Sequence, residues 1–353
     1  MSPHIAYDAL ALERDYRRSV AETRALEAGT DRVGRQGPAA TGLPDAIRGG
    51  VAVVGAAIFT EPTSYDSWGS VPVQSVASYG TPQEAHDAAK MQLEWYQEMA
   101  SQLDTVRLIL TRDDLDSVLA TWAEDADPSQ RQQGWILLME GADPILEPSQ
   151  FGEWWQRGLR ILGTSWTKTR YAGGTNAPGP LTDLGRALLA EMAKVNALLD
   201  ITHMSEEACL ESLHTYEGPI FGSHVNPRQF SNTDRHLTDE AIRLLARRDG
   251  VMGLVLLNVF WTQDWQQGNN VPLSRVIDAV DTICQLTGSA RHVGIGTDWY
   301  GGMGSNLIPN ELDTVADLWK IGAGLRDRGY GETDVEAILS GNMLRKFREA
   351  LPE

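Results

Sequence analysis

The chain has 353 residues, 30 of them basic and 48 acidic, for a formal charge of −18. A surface of that sign repels phosphate backbones and anionic membrane faces, so nucleic-acid and membrane-surface roles are excluded as expectations. No apolar run approaches the roughly 18 residues that a bilayer span needs, and the N-terminus lacks a basic segment followed by an apolar one, so a cytoplasmic protein is expected.

An apolar fraction of 42% is ample for a large core. Cys209 and Cys284 have no partner cysteine at metal spacing, so they read as free thiols in a reducing compartment. Asp8 to Leu26, rich in Ala, Leu, Arg and Glu, reads as helix, and Gly29 to Gly49 as an ordered loop. Gly50 to Phe59 is a buried strand whose small residues allow close packing. After a turn-rich section from Thr60 to Gly80, Pro82 to Leu103 has the length and composition of a long helix, with Pro82 suited to its first turn and His86 on its surface. Val106 to Leu110 reads as a short strand and Asp113 to Trp122 as a helix. Gly134 to Glu140 is an apolar run that ends in a carboxylate, which is not packing material.

Phe151 to Gly158 reads as a short helix and Leu159 to Thr164 as a strand. Trp166 to Pro180 is a long ordered loop at the edge where the strands end, the place where such proteins usually meet their substrates. Asp183 to Val195 is a helix, and two short apolar runs then each end in a histidine, Leu198 to His203 and Gly218 to His224, with a helical pattern opened by Ser205 between them. If both runs are parallel strands joined by that helix, His203 and His224 leave neighbouring strands at the same edge. Thr238 to Arg248 is a helix with half of a capping box, Gly250 to Leu257 a strand, Val276 to Leu286 a helix, and His292 to Asp298 a strand ending in aspartate. Leu312 to Arg328 and Asp334 to Ala350 close the chain as helices. The glycines of Gly294-Ile295-Gly296 lie inside a strand, with no helix following directly, and do not make a dinucleotide loop.

Strands alternate with helices without repeat or break, which predicts one α/β domain; an α/β barrel of this length is routine. The strand ends carry Glu140, His203, His224 and Asp298 in that order. Imidazoles and carboxylates of this kind are ligands for zinc or a similar divalent ion, and water held by such an ion is acidified to near neutrality, so the reaction class expected is metal-assisted hydrolysis.

Several stretches together resemble one family. They are Leu199-Asp200-Ile201-Thr202-His203-Met204-Ser205, Ser223-His224, Asp234-Arg235-His236-Leu237-Thr238-Asp239, His292 to Asp298, and the terminal Arg328-Gly329-Tyr330 with Asp334-Val335, Ile338-Leu339 and Gly341-Asn342. In combination they are similar to the membrane (renal) dipeptidase family of zinc peptidases, from about Gly50 to the C-terminus. The resemblance implies a single (β/α)8 TIM-like barrel of the metal-dependent hydrolase type over residues 1–353. Two zinc ions go with it. Glu140 would bridge both metals, and His203 and His224 would complete one site. Arg235 would hold the substrate's terminal carboxylate by a two-pronged hydrogen bond. Asp298 would manage protons beside the second metal.

The sequence departs from the family pattern at three places. Ser2 and His4 stand where the N-terminal His-x-Asp ligands of the second zinc belong, on a strand that the start of the chain truncates. Trp166 takes the loop position at which many members offer a histidine to the substrate, and Tyr300 the place of an acid. The expected function is a zinc-dependent dipeptidase for dipeptides or similar short amides with a free C-terminal carboxylate. The alternative is a degenerate member that binds a small peptide or one metal without turnover. A homodimer is compatible with either.

Overall fold

The computed structural model describes residues 15–29, 37–63, 77–263, 265–266, 268–299 and 303–353. Ser2, His4 and Tyr300 lie outside them.

A strand buried on both faces needs apolar side chains at odd and even positions alike. Gln133–Glu140 meets that demand: Trp135, Leu137 and Met139 join one apolar cluster while Ile136 and Leu138 join another, all nearly free of solvent. Glu140 continues the face of Ile136 and Leu138 at the strand's last position. Eight parallel strands make the framework: β1 (Val53–Phe59), β2 (Val106–Leu108), β3 (Gln133–Glu140), β4 (Leu159–Gly163), β5 (Leu198–Asp200), β6 (Ile220–Phe221), β7 (Met252–Leu254) and β8 (Val293–Ile295). Their order is β1-β3-β4-β5-β6, with β2 alongside the first half of β3, and every pairing is parallel. β7 pairs with β8, and hydrogen bonds from Gly222 N–H to the Val251 carbonyl and from Gly253 N–H to the Gly222 carbonyl carry the array from β6 to β7. The α/β class with a parallel sheet is as the sequence predicted. All strand C-termini therefore face one edge.

Helices cover this array and begin where the sequence supplies caps. Thr81 and Glu84 form a reciprocal capping box ahead of Pro82–Gln102, and Thr111 and Asp114 do the same for Arg112–Ala120. Thr238 accepts the Ala241 N–H at 3.4 Å, the half box that the sequence offered. Both cysteines are free, as expected.

Several boundaries differ from the sequence reading. Of the helix expected from Asp8, the described part begins only at Val20, because Ser19 caps it with Glu22 answering. The loop expected over Gly29 to Gly49 contains a helix, Leu43–Arg48, with Pro44 in its first turn. The run from Gly250 to Leu257 is strand only over Met252–Leu254, since the Val255 N–H turns to the Asn226 side chain and Leu256 N–H to the Thr297 carbonyl. The 166–180 loop contains a hairpin, Ala172–Gly174 with Ala177–Leu181. The helix expected from Leu312 starts at Trp319, after a turn capped by Thr314. The last helix is interrupted by a π-helical segment at Ala337–Gly341. His86 is half-buried, its Nδ1 2.9 Å from the Pro144 carbonyl.

Candidate metal centre

Glu140 is the only one of the four residues predicted at strand ends that sits on a strand. His203 and His224 each lie three residues beyond β5 and β6, and Asp298 three beyond β8. His203 and Asp298 adopt left-handed backbone, with φ of +67° and +55°. Such a conformation costs a non-glycine residue on the order of 1 kcal/mol or more and persists only where surrounding structure over-determines it. Tight turns of this kind aim the side chains back across the strand ends.

The turn that carries His224 is pressed against the neighbouring strands. A Cβ on Gly253 would lie 2.2 Å from the Ser223 carbonyl oxygen, and one on Gly296 only 1.8 Å from it. Glycine at those places is therefore a requirement of close approach, which accounts for Gly296 in the Gly294-Ile295-Gly296 pattern.

The aim converges. Glu140 Oε1 lies 2.9 Å from His203 Nε2 and 3.1 Å from His224 Nε2, and the two Nε2 atoms are 3.2 Å apart. Bonds of roughly 2.0–2.1 Å at a tetrahedral ion put donor atoms about 3.3 Å apart, so this triangle fits a zinc-sized cation. Asp298 Oδ1 is 4.0 Å from His224 Nε2, one step outside the triangle. The histidines are 8% and 9% exposed, so a cation here would be largely shielded from water.

Both imidazoles use Nδ1 elsewhere. His203 Nδ1 meets Thr175 Oγ1 at 3.0 Å, from the hairpin of the 166–180 loop, and His224 Nδ1 meets Ser223 Oγ at 2.7 Å. Each ring thus turns Nε2 to the triangle. Burial and the Arg235 charge hold His203 down at about 3, so it is neutral and its lone pair free. Burial alone would lower His224 too, but the carboxylates of Asp298 and Glu140 raise it above its ordinary value. Burial would raise Glu140, yet the two imidazoles beside its carboxylate hold it well below the usual carboxylate range. Asp298 is raised: burial leads, opposed by His224 and reinforced by Glu140. A raised carboxyl beside an ionised one divides the roles of proton carrier and fixed charge.

Arg235 is 4% exposed, and one Nη2 bond to the His224 carbonyl, 2.7 Å, anchors it. Its guanidinium lies over the Phe260 ring at 5.1 Å, with Nε and Nη1 buried and unpartnered. An arginine with two donors spare is set up for an anion. Trp166 is half-buried at the rim, its ring 4.8 Å from Phe59 and 6.1 Å from His203. All six predicted residues thus gather at one edge, joined by Asp200, Ser223, Thr175 and Phe260, which the sequence reading did not single out. The signal for two of them was present, since Ser223 adjoins His224 and Asp200 closes the strand before His203.

The family model of membrane dipeptidase, peptidase family M19, matches residues 12–351. A Klebsiella pneumoniae protein from the pqqA 5′ region is 28% identical over 200 residues, 54% of this chain and 72% of its own length. Dipeptidase 3 of Rattus norvegicus is 27% identical over 265 residues, 70% of this chain; the match spans about half, 52%, of that relative. The fold is shared with a metallopeptidase from Rhodobacter sphaeroides, solved with a phosphinate mimic of the dipeptide L-Ala-D-Ala, at a TM-score of 0.76, 21% identity, and coverage of 97% and 96% of the two chains.

Proposed function

The chain belongs to the membrane dipeptidase family, peptidase family M19, and from that premise we propose that it is a zinc-dependent dipeptidase acting on dipeptides, or similar short amides, with a free C-terminal carboxylate. The observation that carries this reading is the meeting of a cation-sized triangle, Glu140, His203 and His224, with a buried arginine that has two donors to spare.

Zinc in that triangle supplies a water acidified to near neutrality and a polarised scissile carbonyl. The protein's own groups do the rest. Arg235 takes the terminal carboxylate with its guanidinium donors that no protein group occupies, which orients the substrate and discriminates for a free C-terminus. Asp298, with its raised pKa, accepts the proton of the attacking water and returns it to the leaving amine. Trp166, with its ring against Phe59, puts apolar surface beside His203. By the family resemblance Glu140, with His203 and His224, would hold the metal. Two free cysteines suit a reducing, cytoplasmic setting. Among the described residues no helix is long and apolar enough to cross a membrane.

The test is metal content per chain, measured on the same sample as hydrolysis of a dipeptide panel, before and after added zinc. Ala-Ala diastereomers come first, since the Rhodobacter relative holds a mimic of one. Turnover that follows zinc and disappears in His224→Ala is expected; a folded, zinc-loaded protein that turns over none of the panel would defeat the reading. A second reading, a member that binds without turnover, is favoured by Ser2 and His4 at the places of the His-x-Asp ligands. It predicts that Ser2→His with His4→Asp gains activity the parent lacks.

A further inference from the structure

Asp200 is 2% exposed and closes β5 at the edge where the metal triangle forms. Its Oδ1 accepts two backbone N–H groups, from Thr202 at 3.0 Å and from Ser223 at 2.9 Å. Those donors belong to the two turns that carry His203 and His224. Its Oδ2 lies 2.5 Å from Ser223 Oγ.

The direction of every hydrogen then follows. A carboxylate has no proton to give, so the Ser223 hydroxyl points at Asp200 and presents only lone pairs to its other neighbours. His224 Nδ1, 2.7 Å from that oxygen, must carry the hydrogen of their bond, so in the neutral ring Nε2 keeps its lone pair for a cation in the triangle. Thr202 closes the circuit: its Oγ1 accepts the His224 N–H at 3.2 Å and donates to Ser223 Oγ at 3.2 Å. The network has one consistent arrangement of hydrogens.

We propose that Asp200 and Ser223 are positioning residues that lock His224 in the Nδ1–H tautomer, so that Nε2 is held ready to ligate, while Asp200 also fixes the turns bearing both histidines. The inference rests on the metal-centre reading for its purpose, though not for its geometry. The relay explains why a serine precedes His224 and why an aspartate ends β5. It also makes a distinctive forecast. In Asp200→Asn the amide nitrogen would face Ser223 Oγ as a donor; the hydroxyl would turn its proton toward His224 Nδ1, and the ring would carry its hydrogen on Nε2 instead.

The experiment is nitrogen NMR of the His224 ring in metal-free protein, followed upward in pH until the ring shifts are those of a neutral imidazole, together with zinc affinity in competition with a chelator. Wild type should show the Nδ1–H form, Asp200→Asn the Nε2–H form, and Ser223→Ala a mixture. Zinc affinity of both variants should fall by roughly 10–100-fold, the usual effect of removing a hydrogen-bond partner of a ligating imidazole. Should Asp200→Asn fail to fold, Ser223→Ala carries the test alone, because loss of one hydroxyl leaves the two backbone bonds to Asp200 in place. An Nε2–H ring in wild type, or an unchanged tautomer in the variants, would overturn the relay. Wild type that holds the Nδ1–H form but takes no zinc would instead overturn the metal reading and leave the relay standing.

Discussion

Arg235 and Thr175 show how far single side chains decide this site. Arg235 is buried with two donors unpaired, a condition that costs free energy unless an anion completes it. Arg235→Ala should therefore lower kcat/KM for a dipeptide by about 10–100-fold, from the roughly 1.5–3 kcal/mol of a hydrogen bond to a charged group, while an amide lacking the carboxylate barely changes. Arg235→Lys should rescue little, because a point ammonium cannot reproduce the planar fork. Steady-state kinetics on the paired substrates checks both. Thr175 Oγ1 holds the His203 ring from a different loop, so Thr175→Val should weaken zinc binding roughly 10-fold in a chelator titration with little change in melting temperature.

At the scale of elements, two kinds of feature do separate work. Caps set where helices start: Asp114 answers Thr111 at the N-terminus of the 112–120 helix, and there burial would raise its pKa, but bonds from Arg107, Thr111 and the Leu110 N–H outweigh that and depress it. A depressed carboxyl contributes stability that is present above its unfolded value and lost as pH falls through the folded one. Asp114→Asn should thus lower stability near neutrality and flatten the acid limb of a stability–pH profile, which denaturant melts across pH 2–7, a range of about 5 units around the carboxylate values, would reveal. Close approach sets where strands sit: Gly296→Ala would drive a methyl to 1.8 Å from the Ser223 carbonyl, so the His224 turn must shift. The expected result is loss of zinc binding in a protein that still shows its helical circular dichroism. Retained affinity would mean that the turn tolerates the displacement.

For the whole molecule, binding to the folded state alone raises stability by RT ln(1 + [L]/Kd), about 2.7 kcal/mol at 100 times Kd. Zinc should raise the melting temperature and a chelator should lower it in wild type, with the difference absent in His203→Ala. The triangle buries one carboxylate and two imidazoles, so a cation bound there would offset part of their desolvation and tie the site to the fold.

What the sequence determined by itself is whatever local chemistry dictates. Two-sided apolar runs made β3 and β4 legible, Thr, Ser and Pro marked helix starts, and Glu140, His203, His224 and Asp298 stood out because such groups do not serve as packing at the ends of buried strands, whereas Arg235 was marked only by its motif. The motifs around them also carried the family, which the match over residues 12–351 bears out. Tertiary structure alone decided the rest. The strand at Gly250 to Leu257 shortened because Asn226 and Thr297, distant in sequence, captured its hydrogen bonds. The hairpin in the 166–180 loop, the left-handed turns at His203 and Asp298, and the partnership of Asp200, Ser223 and Thr175 with the two imidazoles all depend on which chain segments meet at the edge. Periodicity reports which face of an element is buried, but a hydrogen-bond partner is chosen in three dimensions, and a two- or three-residue turn has no period to read.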